Sequence, residues 1–271
     1  MLLGFNFTQG STLEMVRQMV GEGEVDYVEF LIDNFLHVPV KEVAEAFDCP
    51  VGFHIMHSRF LESDEDHLIS FAKRLREFID AMKPLYVSDH LAHFSNPKGR
   101  QLYHLAELDY QRDYERVRQK VEWWQEQLRQ PLYLENFPSI MDSGADAPEF
   151  FMRLAKETGS ETLFDASNAV CAYLNCGLAL DSWENVIDST LHYHVASYRQ
   201  SLTENPSVIV DSHDGLMSEE TLGFLAGYKK RFEKPGATMT YERDQNIEYD
   251  SIVSDIRKLR AFFCDTEGAA A

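Results

Sequence analysis

Short apolar runs alternate with longer, more polar segments along most of this chain. The runs have the length of β-strands, and several of the segments between them have the apolar period of an amphipathic helix. Eight runs can be counted: LLGFNF (2–7), VDYVEFLID (25–33), CPVGFHIM (49–56), PLYVSDH (84–90), PLYLENF (131–137), ETLFDAS (161–167), LHYHVAS (191–197) and ATMTYERD (237–244). The pattern therefore predicts eight strands separated by helices.

The helical candidates complete a repeating strand–helix order. The clearest of them are STLEMVRQMVGEG (11–23), EDHLISFAKRLREFIDAMK (65–83), DYERVRQKVEWWQEQLRQ (113–130), APEFFMRLAKETG (147–159), SEETLGFLAGYKKRF (218–232) and DSIVSDIRKLRAFF (250–263). Eight such units over ~250 residues are the outline of an α/β fold, the (β/α)8 TIM barrel. No linker rich in Pro, Ser or Gly divides the chain. We predict one TIM-barrel domain over residues 1–264 and a flexible C-terminal tail at 265–271.

The charge balance narrows the classes of partner. The chain has 45 acidic and 25 basic side chains, a formal net charge of -20. This excess of negative charge disfavours binding to nucleic acid and to anionic membranes. No apolar run approaches the ~20 residues of a membrane helix, and the first residues do not resemble a signal peptide. The four cysteines show no C-x-x-C pairing, so we expect free thiols in a reducing cytoplasm.

Polar side chains gather where the later strands end, which is the edge at which a TIM barrel carries its active site. The candidates are His54, His90, Glu135, Asp165, Asn168, His194, Asp211, His213 and Glu242. Each of them alone has an ordinary structural explanation, as a hydrogen-bonded histidine or a helix cap. Together on one rim they would lose hydration and repel one another unless cations neutralise them. The sequence therefore predicts a metal centre.

Nitrogen and oxygen donors without thiolate suit iron, zinc or manganese. The set is too large for one ion, so we expect two or three, with Glu135 on a central strand as the first candidate for a bridging ligand. His192 and His194 share a face of their strand, and we prefer His194 as ligand because it lies nearer the rim. Asp244, two residues beyond Glu242, is a candidate catalytic residue for proton transfer.

Motifs for other mechanisms are missing. The chain has no G-x-S-x-G, no P-loop and no G-x-G-x-x-G. Cys171 is conceivable as a nucleophile, although no base is paired with it in the sequence.

The ordered ligand set resembles the metal signature of the xylose-isomerase-like barrels, which include endonuclease IV and the multinuclear non-heme iron-dependent oxidative enzymes. Within the second family, the chain is similar to the MbnB-type enzymes of methanobactin biosynthesis from about residue 3 to residue 263. The similar stretches are GFNFT, YVEFLIDNF, CPVGFHIM, YVSDH, LYLENFPSIMD, LFDASNA, HVASY and KPGATMTYERD. They include strand flanks that bind no metal.

The resemblance implies a specific activity. The centre would hold two or three iron ions in mixed Fe2+ and Fe3+ states and would use dioxygen as cosubstrate. The substrate would be an MbnA-like precursor peptide of ribosomal origin, and an MbnC-like partner protein would form a heterodimer with the enzyme. A four-electron oxidation of peptide cysteines would give oxazolone and thioamide groups that later chelate copper. Asn168 stands where many relatives carry histidine, so the third metal site would be weaker.

Three other functions compete with this one. The first is a zinc-dependent phosphodiesterase like endonuclease IV, which the net charge of -20 disfavours because such an enzyme must bind phosphates. Sugar isomerisation on a similar barrel is the second. The third is a metal-storing or scaffold subunit without turnover.

Overall fold

A computed structural model of the chain describes residues 1–204 and 206–263. Eight parallel strands close into a barrel in the order β1-β12-β9-β8-β7-β4-β3-β2. These strands are β1 (Leu2–Phe7), β2 (Tyr27–Leu31), β3 (Val51–Ile55), β4 (Val87–His90), β7 (Tyr133–Glu135), β8 (Glu161–Asp165), β9 (His192–Val195) and β12 (Thr238–Tyr241). Two hairpins supply the others: β5 (His93–Ser95) with β6 (Gln101–Ala106), and β10 (Tyr198–Gln200) with β11 (Ile209–Asp211).

Helices follow the strands around the outside of the barrel. They are α1 (Leu13–Gly21), α2 (Val40–Ala44), α3 (Glu65–Met82), α4 (Tyr114–Leu128), α5 (Ala147–Thr158), α6 (Ala166–Cys176), α7 (Glu184–Ser189), α8 (Glu219–Gly227), α9 (Lys229–Phe232) and α10 (Tyr249–Phe263). The predicted TIM barrel is confirmed, and each of the eight apolar runs contains one barrel strand. The helix predicted over 218–232 is divided into α8 and α9, and α2, α6 and α7 come in addition to the predicted helices.

The barrel strands are buried on both faces, as expected for a parallel sheet covered by helices. Every residue of β3 and β9 is buried, and the apolar core includes the fully buried Trp124 of α4. The Trp124 indole also donates a hydrogen bond to Asp89 Oδ2 (3.1 Å), which accepts a second one from Ser58 Oγ (2.6 Å). These two bonds fix the last residues of β4, where His90 follows Asp89 directly.

The hairpins were not predicted from the sequence, and each extends one barrel strand beyond the C-terminal edge. β5–β6 follows β4, and β10–β11 follows β9. Asn175 of α6 anchors the second hairpin: its Nδ2 donates to the Ile209 carbonyl (2.9 Å) and its Oδ1 accepts from the Ile209 amide (2.8 Å). One side-chain amide thus pairs with the free edge of β11, two residues before Asp211.

Among the described residues, no helix is both long enough and apolar enough to cross a membrane. Cys49, Cys171 and Cys176 are free thiols, as expected. Cys264 and the tail predicted at 265–271 lie outside the described residues.

Gly4 provides a test of packing inside the barrel. A Cβ added to Gly4 would lie 2.4 Å from the fully buried ring of Tyr27, whereas one added to Gly10 would have no atom within 4 Å. We expect Gly4→Ala to lower the free energy of unfolding by about 1–3 kcal/mol through overpacking. Gly10→Ala is the control and should leave it nearly unchanged. Urea denaturation checks both, and equal midpoints for the two variants would contradict this account of the barrel interior.

Candidate metal centre

Strand register brings the predicted ligands together at the C-terminal edge of the barrel. His90 of β4 pairs with Glu135 of β7, and Asp165 of β8 pairs with His194 of β9. His194 pairs in turn with Thr240 of β12, two residues before Glu242. Parallel strands in register end at the same edge, so residues distant in the sequence become neighbours.

The first group of ligand candidates is His54, His90 and Glu135. Each offers one ligand atom, and these atoms all lie within 4.8 Å of one another. His90 Nε2 is 3.0 Å and His54 Nε2 is 3.6 Å from the same oxygen, Glu135 Oε2. This group can hold one metal ion.

The second group is Glu135, Asp165, His194 and Glu242, whose ligand atoms also lie within 4.8 Å of one another. His194 Nδ1 is 3.0 Å from Glu242 Oε2 and 3.5 Å from Glu135 Oε1. The two oxygens of Glu135 therefore face different histidines, and this carboxylate belongs to both groups. That is the arrangement a bridging ligand requires.

Asp211 and His213 form a third group beside the second one. His213 Nε2 lies 2.6 Å from Asp211 Oδ2 and 3.9 Å from Glu242 Oε2. The backbone of His213 adopts a left-handed conformation with φ of 48°. A side chain other than glycine pays roughly 1–2 kcal/mol there. The surrounding contacts therefore hold the His213 backbone in a strained conformation in which the imidazole faces Glu242.

Acceptors outside the centre fix which nitrogen of each histidine carries the proton. His90 Nδ1 donates to the Ile55 carbonyl (3.0 Å), and His194 Nε2 donates to Glu29 Oε2 (2.6 Å). His213 Nδ1 donates to Asp244 Oδ2 (2.9 Å). Since carbonyls and carboxylates only accept, the other ring nitrogen of each histidine is left with its lone pair facing the centre.

A hydrogen bond also orients His54. Its Nδ1 lies 2.8 Å from Ser88 Oγ, a hydroxyl that is also 3.2 Å from the Phe53 carbonyl. This contact directs His54 Nε2 toward Glu135 Oε2, at 3.6 Å.

The ligand atoms of this centre face one another with their lone pairs, and such an arrangement requires a proton or a metal ion between them. Within the described part of the chain, six buried atoms of this centre have no hydrogen-bond partner: Asp165 Oδ2, Asn168 Oδ1, His194 Nδ1, Asp211 Oδ1, His213 Nε2 and Glu242 Oε2. Buried acceptors left unpaired are costly. Nitrogen and oxygen lone pairs converging from several strands are what a metal ion satisfies, so the residues fit a multinuclear centre.

The pKa values of the ligand side chains indicate which of them bind protons when no metal is bound. Burial disfavours a charged His90, but the facing Glu135 carboxylate outweighs burial and raises the pKa of this imidazole to about 9. Burial likewise opposes protonation of His194, and the Glu242 and Glu29 carboxylates raise its pKa well above the usual value. Burial and the neighbouring Asp211 raise the pKa of Asp165. Protons and metal ions thus compete for the same lone pairs.

Asn168 lies in the first turn of α6. Asp165 caps that helix, and its Oδ1 accepts from the Asn168 backbone amide (2.7 Å). Asn168 Nδ2 donates to the Asn136 carbonyl (3.0 Å), which directs the unpaired Oδ1 of Asn168 away from that bond. The amide oxygen is available as a neutral ligand, while its assignment as one stays a prediction.

Glu29 was missed in the sequence analysis. It is buried on β2, and Oε2 accepts hydrogen bonds from the Tyr86 hydroxyl and from His194 Nε2. Glu29 therefore sets the orientation in which His194 Nδ1 faces the second group. A lone carboxylate inside the apolar run YVEFL was the available signal.

The remaining candidates of the sequence analysis lie at different distances from the centre: Asp244, His192 and Cys171. Asp244 lines the cavity above it and holds His213, and its predicted proton transfer stays a prediction. His192 Nδ1 lies 2.9 Å from Thr238 Oγ1, below the groups described above. Cys171 is buried in α6, and burial raises the pKa of its thiol, so it cannot supply an exposed thiolate.

A cavity of about 310 Å³ opens above the centre. Its floor includes His54, His90, Glu135, Asp211, His213 and Glu242. Its walls are largely apolar and are formed by Leu31, Met56, Leu91, Leu105, Phe137, Pro138, Ile140, Val208, Ile209 and Val210. No Lys or Arg of the described residues lines it.

Comparisons with known proteins agree with this architecture. A family model described as "RiPP precursor modification enzyme MbnB/TglH/ChrH" matches residues 3–263. A UPF0276 protein of Caulobacter vibrioides (strain NA1000 / CB15N) is 27% identical over an alignment 253 residues long that covers 88% of this chain and 86% of the relative. A UPF0276 protein of Psychromonas ingrahamii is 26% identical over an alignment 204 residues long that covers 73% of this chain and 71% of the relative.

Solved structures with little sequence identity share the fold. A D-allulose 3-epimerase from Methylomonas sp. superposes with a TM-score of 0.64 at 9% identity, covering 96% of both chains. The 3-keto-D-glucoside 4-epimerase YcjR from E. coli gives 0.61 at 14% identity, covering 96% of this chain and 99% of the other. A xylose isomerase domain protein from Planctomyces limnophilus gives 0.56 at 13% identity, covering 96% and 93%. These matches place the barrel among xylose-isomerase-like folds.

Replacing Glu135 tests the shared ligand. Because its two oxygens face both ligand groups, we expect Glu135→Ala to lower the metal content by one equivalent per chain or more. Glu161→Ala is the control, since Glu161 begins β8 at the opposite end of the barrel. Elemental analysis of both purified variants measures the effect. Wild-type metal content in Glu135→Ala would rule out the bridging assignment.

Replacing Glu29 tests the orientation of His194. Glu29→Leu removes the acceptor of His194 Nε2, and we expect metal affinity to fall about 10–100-fold, as for other residues that orient metal ligands. Glu29→Gln keeps an oxygen that can accept the same hydrogen bond and should retain most of the affinity. Competition with a chromophoric chelator measures both variants. Equal losses in both would show that carboxylate charge matters rather than orientation.

Proposed function

Because this chain belongs to the MbnB/TglH/ChrH family of RiPP precursor modification enzymes, we propose that it is a multinuclear iron-dependent oxidase of peptide cysteine. The observation that carries the proposal is the pair of nitrogen and oxygen ligand groups that share Glu135 at the floor of a cavity, with His213 beside Glu242 of the second group. Iron bound there would supply a coordination site for a thiolate and a redox-active ion through which electrons from the cysteine residue reach dioxygen.

The residues of the chain have separate tasks in this reaction. Glu135 keeps the first and second ligand groups close enough for both to act on one substrate. Ile55, Glu29 and Asp244 hold the imidazoles of three histidines in fixed orientations through the hydrogen bonds described above. The apolar walls would keep water from the cysteine, which protects the oxidised residue from hydrolysis.

The overall chemistry is an oxidation with a defined balance. Four electrons and four protons leave the cysteine residue and reduce one dioxygen to two waters. The peptide then rearranges to an oxazolone with a neighbouring thioamide, as in the methanobactin branch, and such groups chelate copper. We further propose an MbnA-like precursor peptide as substrate and an MbnC-like partner protein, in a heterodimer, that presents it.

The residues that line the cavity disfavour the alternative function, a zinc-dependent phosphodiesterase. Such an enzyme must compensate the charge of a phosphodiester, yet no Lys or Arg of the described residues lines the cavity. The net charge of -20 adds long-range repulsion. The sugar epimerases that superpose on the barrel show the fold alone.

The proposal is tested with protein purified anaerobically and loaded with iron-57. Mössbauer spectroscopy should show more than one iron per chain and a ferrous site that responds to a cysteine peptide. With the partner protein and dioxygen, mass spectrometry should find the peptide lighter by four hydrogen atoms. A peptide with serine in place of cysteine and zinc-loaded enzyme are the controls. Unmodified cysteine under all of these conditions, or phosphodiester hydrolysis by the zinc form, would refute the proposal.

A further inference from the structure

The cavity walls continue onto an exposed apolar rim. Ile140 and Val208 line the cavity, and they are also 46% and 41% exposed to solvent. Met141 follows Ile140 in the loop after β7, and Leu202 lies in the same hairpin as Val208, where Ser201 N donates to the Val208 carbonyl (2.7 Å). One apolar surface therefore runs from the metal centre to the outside of the protein.

The shape of this surface indicates an elongated ligand. A cavity of about 310 Å³ has room for only a few side chains, while the apolar rim extends beyond it. A chain molecule that places one residue at the metal centre and its neighbours against the walls would cover both parts.

The charge of the surface restricts the chemistry of that chain. The ionisable residues that line the cavity are carboxylates and histidines, and they lie at its floor or, like His104, at its edge. A carboxylate on the ligand would be desolvated against apolar walls without a cationic side chain to pair with. Uncharged apolar residues would instead gain from burial against Ile140 and Val208.

We propose that the cavity and its rim bind the residues flanking the reactive cysteine as an uncharged, apolar peptide segment, and that Ile140 and Val208 select this segment. The inference rests on the proposed function for the identity of the cysteine, and it adds which neighbours of that cysteine are accepted. Ile140 comes from the loop after β7 and Val208 from the residue before β11. Residues from two separate segments would therefore contact the peptide.

Binding of matched peptides tests the selection. Three fluorescently labelled peptides of one length would carry a single cysteine flanked on both sides by Val, Thr or Asp. Val and Thr have nearly the same shape, so their difference isolates apolar contact. We expect anisotropy titrations with the full-length zinc-loaded chain, without oxygen, to give the tightest Kd for the Val peptide. The Asp peptide should bind at least tenfold more weakly.

Two lysine variants locate the selecting residues. Ile140→Lys supplies the missing cation, and it should strengthen binding of the Asp peptide while weakening binding of the Val peptide. Val208→Lys should act in the same direction. Ile69→Lys is the matched control, because Ile69 lies on the outer helix α3 with the same 46% exposure. Circular dichroism confirms that all variants are folded.

The outcomes separate this inference from the proposed function. Equal affinities for the three peptides, or equal behaviour of the Ile140→Lys and Ile69→Lys variants, would overturn the inference. Loss of partner-protein binding in Ile140→Lys with an unchanged peptide preference would assign the rim to the partner and also overturn it. If the preference is found but the iron-loaded enzyme oxidises none of the peptides, the proposed function fails and the inference stands.

Discussion

Imidazole lone pairs that face carboxylate oxygens in a buried space are the constraint on which this structure depends. At 3.0 Å, His90 Nε2 and Glu135 Oε2 repel one another unless a proton or a metal ion lies between them. The outer hydrogen bonds exclude the simplest relief, a turned ring, because Ile55, Glu29 and Asp244 already hold the opposite nitrogens of their histidines. A proton or a metal ion must therefore compensate these facing groups, and the barrel register and the second layer of acceptors keep the groups in place.

Much of this centre could be predicted, because in a parallel barrel the residues at the C-terminal ends of all strands lie at the same edge. A polar residue at the end of a buried strand has one edge to occupy, so His54, His90, Glu135 and His194 could be assigned to a common rim. The pairing of His90 with Glu135 could not be predicted in the same way, since register between strands depends on how the whole barrel closes. The role of Glu29 could not be predicted, because an acidic residue within a strand does not indicate which distant side chain it contacts.

Other elements could not be predicted for different physical reasons. The residues of α6 have a weak amphipathic pattern, because nearly all side chains of its first two turns are buried. Its start at Ala166 depends on Asp165, which caps the helix and is also a predicted metal ligand. The strands of the hairpins β5–β6 and β10–β11 have only three to six residues and form where the chain leaves the barrel. They nevertheless supply part of the cavity wall and Asp211. Segments outside the regular barrel therefore contribute directly to the site.

The bond between Asn175 and Ile209 has a consequence for how the centre is assembled. The first two ligand groups stand on barrel strands, whose separation requires opening the core, whereas Asp211 ends the two-stranded hairpin β10–β11, which the Asn175 amide anchors at Ile209. His213 follows this hairpin, and its carbonyl accepts hydrogen bonds from the Asp244 and Gln245 amides. Opening of such a peripheral element needs much less free energy than global unfolding. The three positions should therefore differ in kinetics: an ion at the third exchanges with solution on the timescale of hairpin opening, while the other two are retained through many such events.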